Sequence, residues 1–320
     1  MLKIILIIIT TIILSIICIS FFTVLERKFI SSIQRRRGPN VVGVWGFFQA
    51  IADGLKLAMT DVNIPNKAYR ILFVLAPLWS FALSLSSWAF IPFNYGEVLI
   101  NTRYSLIYVF LLSSFGVYGI ITAGWASCSR FAYIGSIRAA AQMLSYEVSL
   151  TFIFVMVAFM THSLNLIEIV AMQHDTFWLI LPLFPTAGIF FITMLAETNR
   201  APFYLPEGES ELSGGYNVEY AGIYFALFFL AEYNNIIVMS TLFVLLFLGG
   251  WTLPRLRACS DVLTSVIFSS KIIFLCCLFV AVRGALPKYR YDQLMTICWK
   301  GLLPFTLVYG IIAISLYLLF

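Results

Sequence analysis

The sequence predicts an all-α, polytopic membrane protein: eight transmembrane helices in one transmembrane domain over residues 1–320, with an amphipathic interfacial helix in the first inner loop. Three observations lead there. Hydrophobic residues make up 61% of the 320 and charged residues only 11%, whereas soluble domains carry about 25% charged residues. Eight apolar stretches approach the roughly 20 residues needed to cross about 30 Å of hydrocarbon. Fifteen of the 20 Lys and Arg residues fall in alternate connections between those stretches or, for Arg138, at the border of one. With a mean hydropathy of +0.96 the chain lacks the charge to cover a water-facing surface, which excludes a soluble enzyme, a disordered chain and a nucleic-acid-binding domain.

The spans are expected near 4–25, 71–93, 104–126, 138–160, 176–196, 220–248, 262–282 and 301–320. The first is retained rather than cleaved, because its apolar run is long, only Lys3 precedes it, and it ends in Glu26-Arg27-Lys28 instead of small residues. The fifth contains Pro182 and Pro185; a re-entrant fifth segment would leave seven spans, but that count splits the charge segregation. The positive-inside rule then places loops 26–70, 127–137, 197–219 and 283–300 on the cytoplasmic or matrix side, with both termini on the other. The six cysteines have neither zinc-like nor disulfide-framework spacing, and Cys276-Cys277 lies within an apolar run as a small hydrophobe.

In the first inner loop, Trp45 to Thr60 has helical periodicity, with Gln49, Asp53, Lys56 and Thr60 forming a narrow polar stripe. Two readings stand: a helix lying on the lipid surface beside the basic cluster Arg35-Arg36-Arg37, or one roofing a pocket, with Asp53 and Lys56 facing it. The loop at 197–219 is the anomaly. It carries Glu197, Glu207, Glu209, Glu211 and Glu219 against Arg200 alone, on the side where the first loop has a formal charge of +5. Carboxylates crowded this way suit proton uptake and release; a solvated acidic loop is the plainer reading.

Ionisable residues inside spans cost at least ~2.5 kcal/mol at mid-depth and usually mark a pathway or binding site. Glu147 follows Arg138 by nine residues and falls on the opposite helical face from Arg138, Gln142, Ser145 and Ser149. Glu232 lies near the middle of the sixth span, and Lys271 lies in the seventh with Glu232 or Glu147 as its natural partner in a buried ion pair. These residues form either a structural salt bridge or a stepped proton route through Glu197, Glu147 and Glu232. No metal-ligand spacing, nucleotide-binding loop or dinucleotide fingerprint is present. A secondary transporter would explain the polar spans, but the halves 1–160 and 161–320 show no matching interruptions. A bare membrane anchor leaves the graded carboxylates unexplained.

Four stretches carry a resemblance: FFTVLERKFISSIQRRRGPNVVGVWGFFQAIADGLKL (21–57), GSIRAAAQMLSYEVSL (135–150), LAETNRAPFYLPEGESELSGGYNVEYAG (195–222) and RGALPKYRYDQLM (283–295). Together they resemble the subunit 1 family of respiratory complex I, the NADH:ubiquinone oxidoreductase, a family with bacterial counterparts; the equivalent subunit of membrane-bound hydrogenases is a more distant likeness. The resemblance implies eight helices and the membrane part of a quinone channel. It implies channel-lining roles for Gln34, Arg36, Phe48, Asp53, Arg138 (of R-x-x-A-Q) and Arg200. It implies proton-coupling roles for Glu147 (of S-Y-E-V), Glu197, Glu207, Glu209, Glu211, Glu219 and Glu232.

Ubiquinone would be the substrate, with iron–sulfur clusters and FMN held by partner subunits and neither a catalytic residue nor a metal on this chain. The partners implied are the other membrane and peripheral subunits, including the quinone-site iron–sulfur subunit and its neighbour, together with membrane lipids and no nucleic acid. The location implied is the mitochondrial inner membrane with both termini on the intermembrane-space side, or a bacterial plasma membrane. One position departs from the family: Tyr204 stands where its P-F-D-L stretch has aspartate, and a phenol is neutral at physiological pH.

Overall fold

The computed structural model describes residues 2–203, 215–253 and 261–319, and no strand occurs among them. In chain order the helices are α1 (Leu2–Ile33), α2 (Gln49–Met59), α3 (Arg70–Ser86), α4 (Ser105–Ala126), α5 (Arg130–Thr161) and α6 (Leu166–Asp175). They continue with α7 (Phe184–Glu197), α8 (Gly222–Phe247), α9 (Asp261–Ala285), α10 (Tyr291–Thr296) and α11 (Leu303–Leu319). A π-helical turn at Ile297–Leu302 joins the last two. The fold class is therefore all-α, as expected. Seven helical segments are long and apolar enough to cross a membrane among the described residues, and α7 is a shorter apolar helix.

Several boundaries differ from the sequence reading. Helix α1 runs through Glu26, Arg27 and Lys28 to Ile33, so these charges sit on its last turns and not in a loop. Helix α2 begins at Gln49, four residues later than the periodicity predicts, because Trp45 has φ +61 and interrupts the segment. The loop predicted at 127–137 is mostly the start of α5, and much of 283–300 is helical. Helix α7, where the fifth span is expected, is shorter than the seven candidate spans. At 1.5 Å per residue the 14 residues of α7 rise about 21 Å, less than a hydrocarbon core. Residues 176–183 precede it in turns, tied to the end of α8 by the Ile180 N–H donating to Phe247 O at 3.1 Å.

Helices α5 and α8 occupy the interior. Most of their apolar length is buried, against a third or less for the other long helices. The larger core joins α5, α7, α8 and α9 through residues such as Leu150, Phe190, Val244 and Phe279. A smaller one joins α3, α4 and α5 around Phe73, Ala123 and Ala139, with Tyr216 and Tyr220 from the segment before α8. Ridges this close-packed need small residues where backbones cross. A Cβ on Gly135 of α5 would lie 3.0 Å from the Cα of Gly215, so glycine lets the 215–217 turn seat against α5. The apolar residues of α2 are exposed, Ile51 and Met59 among them, as an interfacial helix requires.

Candidate functional site

The end of the bundle that carries the basic connections holds a continuous chain of polar contacts assembled from four separate parts of the sequence. Arg283, near the end of α9, pairs with Glu26 of α1. The other carboxylate oxygen of Glu26 accepts the Tyr233 hydroxyl at 2.6 Å. The Arg200 guanidinium, just beyond α7, lies 4.4 Å from the centre of the Tyr233 ring and 3.6 Å from Glu232 Oε2. Glu232 Oε1 in turn accepts the Tyr216 hydroxyl at 2.6 Å.

Each link has a physical reason. A buried carboxylate is tolerable only when paired and hydrogen-bonded, and Glu26, with 5% of its surface exposed, has both a cation and a phenol. Arg200 is as deeply buried; a planar, weakly hydrated guanidinium suits an aromatic face better than lysine would. Tyr233 follows Glu232 on α8, so one helix sends neighbouring side chains to both sides of Arg200. Tyr220, stacked on Phe73 at 4.0 Å, packs with Tyr216 in the smaller core.

A cavity of about 390 Å³ lies against this chain. Glu26, Tyr233 and Arg283 form its inner wall, and Arg27, Arg36 and Arg37 its rim. A second, more apolar cavity of about 500 Å³ lies across α1, between Phe21, Leu25, Phe29, Trp45 and Phe47. Of the residues expected to border a channel, Arg36 lines the first cavity. Asp53 is one step away, accepting from the rim residue Arg27 at 2.7 Å and from Gln49 at 2.8 Å. Phe48 is exposed, packed edge-on to Phe47, whose ring lies tilted against Phe21 beside the second cavity. Gln34 is exposed at the end of α1. Arg138 is half-buried, its guanidinium 6.0 Å over the Tyr291 ring. Arg200 sits behind the cavity wall and not on its surface.

The carboxylates divide into groups. Glu147 is buried on α5 and accepts from Ser114 of α4. On another face of α5, Gln142 donates to Ala196 O of α7 at 2.8 Å, so the helix does present polar groups on two faces. Glu197 ends α7 fully enclosed and within electrostatic reach of Glu147. One of its carboxylate oxygens has no hydrogen-bond partner among the described residues. Glu219 is half-buried. Glu207, Glu209, Glu211 and the divergent Tyr204 lie outside the described residues.

Lys271 does not meet the carboxylate expected of it. Its ammonium donates to the main-chain carbonyls of Leu248, Gly250 and Thr252 at 2.7, 2.9 and 2.9 Å, and lies 4.6 Å over the Trp178 ring. The reason is local. Helix α8 ends in Gly249 and Gly250, both with positive φ, and this turn aims carbonyls that have no intrahelical partner at the lysine. Three donors meet three acceptors at the negative end of a helix.

Sequence reasoning passed over Glu26, Tyr233, Tyr216, Arg283 and Ser114 as site residues. Glu26 looked like the flank of a span, and tyrosine is too abundant in this chain to stand out. The one available signal was adjacency: Tyr233 next to Glu232, and Glu26 next to Arg27.

The family model described as NADH dehydrogenase matches residues 4–314. The chain is 51% identical over 291 residues to NADH-ubiquinone oxidoreductase chain 1 of Arabidopsis thaliana, covering 90% of this chain and 89% of that one. It is 48% identical over 303 residues to the chain 1 protein of Chondrus crispus, covering 94% and 93%. It is also 48% identical over 302 residues to an NADH-quinone oxidoreductase subunit of Rickettsia prowazekii, covering 94% and 89%. With a family model spanning nearly its whole length and relatives at about half identity, the chain belongs to the NADH dehydrogenase family of chain 1 proteins and their bacterial counterparts.

Proposed function

We propose that this chain forms the membrane part of the quinone channel in an NADH:quinone oxidoreductase, and couples quinone reduction to proton translocation through its buried carboxylates. It is a multi-pass subunit of a proton-translocating oxidoreductase and is not catalytic alone. Ubiquinone is the substrate, and FMN and iron–sulfur clusters in partner subunits supply the electrons. The eight-crossing count, with α7 as the fifth, keeps the basic connections on one side, the matrix or cytoplasm. Both termini then face the intermembrane space of mitochondria, or the outer side of a bacterial plasma membrane.

The observation that carries this reading is the unbroken sequence of contacts Arg283–Glu26–Tyr233–Arg200–Glu232–Tyr216, with one end in a cavity wall and the other inside the bundle. A quinone taking two electrons acquires negative charge or takes up two protons. At an effective dielectric constant of about 20, a unit charge ~8 Å away is worth about 2 kcal/mol, enough to redistribute protons and ion pairs along such a chain. Arg36 and its neighbours at the cavity rim would hold the polar head, and the apolar cavity across α1 suits the tail. Glu197, with an oxygen left to bond, and Glu147 would carry the change toward α4. Glu207, Glu209, Glu211 and Glu219 complete the acidic constellation; with Tyr204 in place of the usual acid, either Glu207 or Glu209 substitutes for it or that acid is not a required proton acceptor.

The test is Glu232→Gln in the assembled complex. NADH oxidation by a water-soluble artificial acceptor should continue at the normal rate, while quinone-dependent proton pumping is lost. Normal pumping in that variant would defeat the assignment.

A further inference from the structure

A further cavity lies away from all of this, at the opposite end of the bundle between α4 and α5. Those helices cross tightly near the basic end, where a Cβ on Gly124 would lie 2.1 Å from Ser136 Oγ. Farther along, Phe110 and Phe154 meet edge-on at 5.5 Å. Beyond that contact the helices part around a cavity of about 940 Å³. The connection before α6 closes its far end, since the Leu106 N–H donates to Leu164 O at 3.1 Å and the Leu166 N–H to Ser105 Oγ at 2.9 Å. The sides are apolar, and Ile107, Val155 and Phe159 are about half exposed along its edge, which leaves it accessible sideways.

We propose that this groove holds one phospholipid with a primary-amine, zwitterionic head group, of the phosphatidylethanolamine type. The length fits: the lining runs along α5 from Thr151 to the helix end at Thr161 and on to Ser163; the helical part alone rises about 15 Å at 1.5 Å per residue, which spans one leaflet of a hydrocarbon core about 30 Å thick. The charges fit as well. Arg103 and Glu168, both exposed, line the closed end, one of each sign. A guanidinium binds a phosphate with charge-assisted hydrogen bonds, and a carboxylate accepts from an ammonium that has N–H groups to give. A purely anionic lipid would set Glu168 against a like charge, and a quaternary ammonium has no hydrogen to donate to it.

The experiment uses the assembled complex, reconstituted with a phosphatidylethanolamine that carries a photoreactive group on its acyl chain. Crosslinks should map to residues 103–110 and 151–163, and unlabelled phosphatidylethanolamine should compete about tenfold better than phosphatidylcholine. Val155→Trp, which fills the groove, should remove the crosslinks. Arg103→Ala should weaken binding of both lipids, and Glu168→Gln should erase the preference between them; both sites are exposed, so they serve if Val155→Trp fails to assemble. Equal competition by the two lipids in the unaltered complex, crosslinks that persist with tryptophan in the groove, or crosslinking of the groove to another subunit instead of lipid would each overturn the proposal.

Discussion

The guanidinium of Arg200 rests 4.4 Å from the centre of the Tyr233 ring, while the hydroxyl of that same ring donates to Glu26 at 2.6 Å. One side chain thereby links a cation from the segment after α7 to an anion from α1. Because a ring face and a phenol O–H are separate interactions, they can be removed separately.

Tyr233→Phe keeps the surface on which Arg200 sits and deletes only the bond to Glu26. Hydrogen bonds to charged groups contribute about 1.5–3 kcal/mol. We expect the complex to assemble and its quinone reductase rate to fall about tenfold. Tyr233→Ala, which removes both contacts, should also lower the amount of assembled complex. Steady-state NADH–quinone assays beside native gels separate the two effects.

Glu26 and Arg283 should behave as a coupled pair. Removing one member of a buried pair leaves an uncompensated charge, which costs about 3–5 kcal/mol in full burial. The Arg283 side chain is about a third exposed, so the cost should be smaller here. Arg283→Met should therefore reduce thermal stability more than the double variant Glu26→Gln/Arg283→Met does. A double variant that loses as much as the two single variants combined would show that the pair is not coupled.

Lys271→Met should act on stability, not on pumping. It removes the ammonium that donates to three carbonyls at the end of α8, and each buried acceptor left without a donor costs about 1–3 kcal/mol. Less complex should accumulate, but the protons moved per electron in what remains should match the unaltered enzyme. A changed ratio would return this lysine to the proton route.

Gly135→Val tests the seating of the 215–217 turn. The added carbons would press on the backbone of Gly215, and overpacking of this kind costs about 1–3 kcal/mol. Since Tyr216 is next in the chain and bonds Glu232, quinone reduction should fall further than assembly does. In contrast, Asp53→Asn breaks an exposed pair with Arg27 and should alter stability by less than about 1 kcal/mol.

The helical, membrane-embedded character of the chain was legible from residue type alone, since hydrophobic length and the sidedness of Lys and Arg are properties of a linear string. The family motifs were legible for the same reason, as were the two polar faces of α5, because helical periodicity places Glu147 away from Gln142 whatever surrounds them. Pairing was another matter. Lysine with a carboxylate was the natural expectation for Lys271, yet the Gly249-Gly250 turn brought carbonyls to it instead. Glu26 and Arg283 lie 257 positions apart, and no local pattern relates them.

Residue type alone established the membrane-crossing character of the chain and put Glu147, Glu232 and Lys271 within apolar segments, because transfer of each side chain from water is an additive, local term. Which charges meet was settled by packing. A buried charge is stabilised by specific partners at hydrogen-bonding distance, and that geometry exists only once α1, α8, α9 and the segment beyond α7 have packed together.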